Sequence, residues 1–106
     1  MVQYLFNSSG NWIAFRDGQY LYSTNGQWIG WFPWNDNYGV TRHGRYLGTI
    51  YPGNRLYVNR FEPYRGYPGY PGYPGYPGYP GYPGFAGYSP LPPGTDDAEL
   101  TSLAET

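Results

Sequence analysis

Along the first sixty or so residues, short runs of aromatic and β-branched side chains alternate with polar clusters that end in glycine. Leu5-Phe6-Asn7-Ser8-Ser9-Gly10-Asn11-Trp12-Ile13-Ala14-Phe15 aligns without gaps on Leu21-Tyr22-Ser23-Thr24-Asn25-Gly26-Gln27-Trp28-Ile29-Gly30-Trp31. A third copy, from Gly39 to Thr49, keeps the central glycine (Gly44), the polar residue after it and the aromatic-aliphatic pair Tyr46-Leu47. A fourth begins at Leu56-Tyr57-Val58-Asn59-Arg60 and has no glycine where its turn should be. Each copy predicts a β-hairpin, because two strand-forming runs flank a cluster whose glycine can supply the positive φ of a tight turn. Asn25-Gly26 is the strongest of these turn signals. Arg16-Asp17-Gly18, the stretch from Phe32 to Asn37 and Tyr51-Pro52-Gly53-Asn54 are turn material between hairpins, and the prolines argue against helix.

One two-stranded hairpin is not stable alone in water, so the units must bury their aromatic faces against each other. The pattern therefore predicts an all-β fold, a small antiparallel meander of repeated hairpins closing into a barrel-like or pseudo-four-fold arrangement over residues 1–62. Period-2 alternation puts Trp12, Trp28 and Tyr46 on one face and Ile13, Ile29 and Leu47 on the other, and either set could line the centre.

The run from Asn7 to Phe15, then Gly26-Gln27-Trp28-Ile29-Gly30-Trp31, then Gly44-Arg45-Tyr46-Leu47-Gly48-Thr49-Ile50 with Arg55-Leu56-Tyr57, resembles the small bacterial family of four-fold beta flower proteins. The resemblance covers about residues 3–61. It implies hairpin petals about a pseudo-four-fold axis and carries no established biochemical activity. The fourth petal departs from the pattern, so either Val2-Gln3-Tyr4 completes it or the four-fold count is broken.

From Gly66 the triplet Gly-Tyr-Pro recurs six times, followed by Gly84-Phe85-Ala86 and Gly87-Tyr88-Ser89. Residues 63–94 form a low-complexity linker or tail. No aliphatic residue larger than alanine is present in the triplets to offset the entropy of ordering, so disorder with polyproline II and Pro-Gly turn character is expected. The segment can serve as a spacer, as a multivalent sticker presenting Tyr67, Tyr70, Tyr73, Tyr76, Tyr79 and Tyr82, or as a collagen-like strand, which tyrosine in every second triplet position argues against. Residues 95–106 are acidic. Thr95 or Asp96 can cap a short helix with Leu100 and Leu103 on one face, against which stands a frayed terminus.

Composition narrows the chemistry. Cysteine is absent, which excludes disulfides and Cys-based metal sites. The six arginines lie within the first 65 residues, where only Asp17, Asp36 and Glu62 oppose them, while Asp96, Asp97, Glu99 and Glu105 make the end acidic. Tail end and head can therefore attract each other, or the head can seek an anionic surface. The lack of lysine argues against a polybasic nucleic-acid patch. His43, the sole histidine, sits in a turn without a second ligand or a nucleophile, and no phosphate loop precedes a helix. Asp17 and Asp36 are the only carboxylates that could form a hydrolytic pair, but a module this small offers little cleft, and turn duty explains both. No apolar run approaches a membrane span, and the start lacks the marks of a signal peptide, so a cytoplasmic location is expected.

The resulting expectation is a non-enzymatic structural or interaction module, with no cofactor and no metal, that acts through a protein partner or self-association. The alternative is a carbohydrate-binding module using exposed aromatics around Trp31 and Trp34. The expected contact surface comprises Trp31, Phe32, Trp34, Arg55, Tyr57 and Phe61, because an incomplete fourth repeat should leave an edge uncovered. Pairing of Val2–Phe6 with Leu56–Phe61 would instead close the ring from within.

Overall fold

Each glycine-centred repeat forms the hairpin its pattern predicts. The computed structural model describes residues 2–63, 65–98 and 100. It contains β1 (Val2–Phe6), β2 (Trp12–Asp17), β3 (Tyr20–Ser23), β4 (Trp28–Trp31), β5 (Tyr38–Thr41), β6 (Tyr46–Tyr51), β7 (Arg55–Asn59) and β8 (Thr95–Asp97), with no helix among the described residues. Neighbours pair antiparallel in sequence order, and β1 returns to β7 in parallel through Phe6 and Arg55, closing a seven-stranded barrel.

The three hairpin turns are built alike. The amides of Gly10, Gly26 and Gly44 donate to the carbonyls of Asn7, Ser23 and Thr41, each at 3.0 Å. The side-chain oxygens of Asn7, Ser23 and Thr41 then accept from the amides of Asn11, Gln27 and Arg45. The three glycines have φ of 89°, 87° and 87°, a region that L-residues reach only with strain.

Strict alternation does not hold after the turns. Phe6 pairs with Trp12 but Leu5 pairs with Ala14, so Ile13 is the extra residue of a β-bulge; Ile29 and Leu47 occupy the same place in the second and third hairpins. The bulge lets the aliphatic residue and its small successor both face inward. This gives Trp12-Ile13-Ala14, Trp28-Ile29-Gly30 and Tyr46-Leu47-Gly48 a common physical meaning. Of the two residue sets that could line the centre, the aliphatic one does: Leu5, Ala14, Leu21, Ile29, Phe32, Leu47, Ile50, Leu56 and Leu100 form the core, with Ile13 packed against it. The aromatic set covers the outside, where Phe15, Tyr22 and Trp28 form a second cluster and Trp31, Tyr38 and Val40 a third.

The N-terminal strand closes the ring against β7, as one of the expected routes requires, but only through Phe6 and Arg55, and the fourth hairpin itself is completed by β8. β8 pairs with β7 through Asn59 and Thr95, Val58 and Asp96, and Tyr57 and Asp97, so the whole tail is the connection of a fourth antiparallel pair. The Glu62 amide donates to the Asn59 carbonyl as the glycines do in the other turns, after which the chain leaves the barrel and returns at Gly94, whose carbonyl accepts from the Arg60 amide. Asp97 then ties the seam by accepting from the Ser8 amide at 2.7 Å and the Ser8 hydroxyl at 2.6 Å. Thr95–Asp97 is accordingly a strand and not the first turn of a helix, because β7 offers unpaired backbone that a short helix could not satisfy. Of the expected helical face, Leu100 packs in the core, and Leu103 lies outside the described residues.

Residues 65–94 carry neither helix nor strand, and no backbone hydrogen bond joins two of the described residues 65–91, as befits a segment without a fold of its own. Extended as polyproline II, residues 66–89 would reach about 75 Å. The longest dimension of the molecule is 34 Å. The tail therefore bends around the barrel.

Candidate functional site

The tail meets the barrel where the outward aromatics of the hairpins are. Trp28 is flanked by Tyr70 and Tyr73, with ring centroids 5.6 and 5.8 Å away and interplanar angles of 58° and 62°. Trp12 is flanked in the same way by Tyr79 and Tyr82, at 5.9 and 6.0 Å and 57° and 56°. The two tryptophans occupy the same position in successive hairpins, and their tyrosine pairs stand three triplets apart in the tail. One repeat thus reads another. Tilted contacts of this kind are favoured by the ring quadrupoles. Each indole N–H is already used within its own strand, donating to Ala14 (2.7 Å) and Gly30 (2.8 Å) carbonyls, so the faces rather than the edges are free for the tail.

The hairpin tips serve the same contact. The tail passes Gly44 with Tyr67, Gly26 with Tyr76 and Gly10 with Gly87, visiting the hairpins in reverse order. A Cβ on Gly26 would stand 2.5 Å from the Tyr76 ring, and one on Gly44 2.8 Å from the Tyr67 ring. Glycine at the tip thus serves the turn and the approach of the tail together.

Two polar anchors bracket the aromatic contacts. At the start, Arg65 pairs with Asp36 at 2.7 Å and lies over the rings of Tyr38 (4.2 Å) and Trp34 (5.3 Å). Desolvation pushes the Asp36 carboxyl up, but the hydrogen bond from Arg65, the Tyr38 amide and the Arg65 charge together hold it below the usual carboxylate range. At the far end, the Arg55 guanidinium donates to the carbonyls of Asn7 (2.8 Å), Gly87 (2.9 Å) and Ala86 (3.2 Å). The Ala86 and Ser89 amides donate to Gly10 and Ser8 carbonyls, and the Tyr57 hydroxyl donates to the Ser89 carbonyl. Between the anchors the Tyr4 hydroxyl donates to the Pro80 carbonyl at 2.8 Å.

Of the six residues expected to form a contact surface, only Trp34 and Phe61 are exposed. Trp31, Phe32, Arg55 and Tyr57 are buried: Arg55 and Tyr57 beneath the tail and β8, Trp31 in the cluster with Tyr38 and Val40, and Phe32 in the inner core of the barrel. The glycan reading around Trp31 and Trp34 accordingly loses its first ring, and Trp34 itself stands edge-on to Tyr38. Both edges of β7 are occupied from within the chain, one by β6 and the other by β1 at Arg55 and β8 from Tyr57 to Asn59. The six tail tyrosines, by contrast, stay between 59% and 68% exposed while docked, so most of each ring still faces solvent.

Trp12 and Trp28 were not among the expected contact residues, although their identical setting in two hairpins beside a tyrosine repeat was a usable signal. As for chemistry, Asp36 is committed to Arg65, and no group of three potential metal ligands is gathered among the described residues. No helix among them is long and apolar enough to cross a membrane. No protein-family model, curated protein or solved structure matches this chain.

Proposed function

We propose that the chain is a non-enzymatic interaction module whose barrel is a receptor for Tyr-Pro-Gly repeats, engaging its own tail in cis and the tails of other copies in trans. The observation that carries this reading is the three-triplet register that sets equivalent tyrosine pairs on Trp12 and Trp28. A spacer would have no reason to match the period of the hairpins. Each tyrosine buries about a third of its surface, worth roughly 1–2 kcal/mol, which is the same order as the cost of fixing one backbone residue. Docking is therefore close to balance and exchangeable, and the many equivalent triplets supply effective concentration for links between copies. The three glycine hairpins and the β7–β8 pair also support the likeness to four-fold beta flower proteins, as a proposal about ancestry rather than activity.

A synthetic peptide of six Gly-Tyr-Pro triplets, titrated into the full chain, tests the reading. Displacement of the tail should shift the Trp12 and Trp28 indole resonances saturably, and light scattering should show mass rising with protein concentration. Unmoved indoles at saturating peptide, together with a mass that stays monomeric, would sink it.

A further inference from the structure

Docking of the tail creates a cleft of about 220 Å3 at the second hairpin, lined by Asn25, Gln27, Trp28, Arg42, Tyr73 and Tyr76. Arg42 is the unusual member. Among the arginines that are at least partly buried, Arg16 donates to Gly18 and Asp36 carbonyls and Arg55 to three carbonyls through its terminal nitrogens, whereas Arg42 makes no hydrogen bond or ion pair with a described residue and, like Arg55, buries its Nε without a partner. The Arg42 guanidinium stands 5.6 Å from the centre of the Trp28 ring, and none of the residues lining the cleft is a carboxylate. A cation without a counter-ion among the described residues, flanked by three aromatic rings and two side-chain amides, is a receptor for a complementary anion.

We infer that this cleft binds a small aromatic monocarboxylate. The single cation selects one negative charge, and its planar fork suits a carboxylate. The walls of Trp28, Tyr73 and Tyr76 suit a flat ring. The volume, below the range of pockets for drug-sized ligands, suits one ring and not two. Asn25 supplies a neutral donor at the rim. Two of the walls belong to the tail, so the site exists only in the docked state, and a ligand that fills it must favour docking over release. The inference thus rests on the proposed barrel-tail recognition and adds a small-molecule control to it.

Sodium benzoate is the probe and benzamide its neutral counterpart, both titrated into the full chain by calorimetry and by proton NMR. Benzoate should bind saturably, shift the Trp28 indole and leave the Trp12 indole in place, and benzamide should bind at least about tenfold more weakly. Arg42→Gln should lose about tenfold or more in benzoate affinity, Arg42→Lys should recover part of it, and Arg45→Gln should change nothing. Persistence of the Trp12–Tyr79 nuclear Overhauser contacts in each variant shows that fold and clasp are intact. If benzoate does not bind, or binds Arg42→Gln as well as wild type, while Trp28–Tyr73 contacts are seen, the inference is overturned and the recognition proposal stands. Absence of those contacts in the wild-type chain removes both.

Discussion

Arg55 holds the Gly87 carbonyl at 2.9 Å, so a residue of the barrel's closing strand and a residue of the last glycine triplet share one hydrogen bond. The same guanidinium holds Asn7 in the first hairpin turn. Barrel closure and tail attachment are therefore parts of one network. Arg55→Met should leave three carbonyls without this donor and lower unfolding stability by about 2–4 kcal/mol, measured by denaturant titration. A change within experimental error would show that water replaces the guanidinium without loss.

Gly26 and Gly18 separate backbone strain from packing. Both have positive φ, 87° and 62°, but nothing lies within 4 Å of a Cβ on Gly18, whereas one on Gly26 meets the Tyr76 ring. Gly18→Ala should cost only the strain of the left-handed region, about 1–2 kcal/mol. Gly26→Ala should cost more, and Gly26→Val more again. Equal melting shifts for the two alanine variants would mean that Tyr76 moves aside freely.

The Asp36–Arg65 pair gives the start of the tail a pH dependence. The folded-state value of Asp36 lies below its ordinary one, so its contribution is complete at neutral pH and is lost as pH falls through that lowered value. Both partners are partly exposed, and the effect on overall stability should be small. The Trp34 fluorescence and indole shift should nonetheless change below about pH 4. Asp36→Asn should abolish that change.

Replacing Tyr70, Tyr73, Tyr79 and Tyr82 together by serine removes every ring that flanks Trp12 and Trp28 from the tail. The barrel core contains none of these residues and should keep its strands. The radius of gyration, 12.8 Å with the tail docked, should rise by a few ångström in X-ray scattering. Tryptophan emission should shift to the red as Trp28, now 4% exposed, meets water. An unchanged radius would show that the two polar anchors suffice.

The local chemistry of the sequence determined the hairpins, because a turn such as Ser23-Thr24-Asn25-Gly26-Gln27 is specified by the φ its glycine allows and by the side-chain oxygen that caps it, both within five residues. It likewise determined that the fold is all-β and that the triplet tail has no secondary structure of its own. Which face lines the barrel was not legible, since alternation alone leaves Trp12 and Ile13 equivalent until the bulge at Ile13 turns two successive residues inward. The partner of β7 was not legible either. Thr95–Asp97 is separated from it by the whole tail, and nothing local distinguishes a three-residue acidic strand from the start of a helix; only the unpaired backbone of β7 and the Ser8 donors decide it. The clasp depends on a match between two periods, one in the barrel and one in the tail, and such a match becomes a contact only when closure of the barrel arranges Trp12 and Trp28 along a single path.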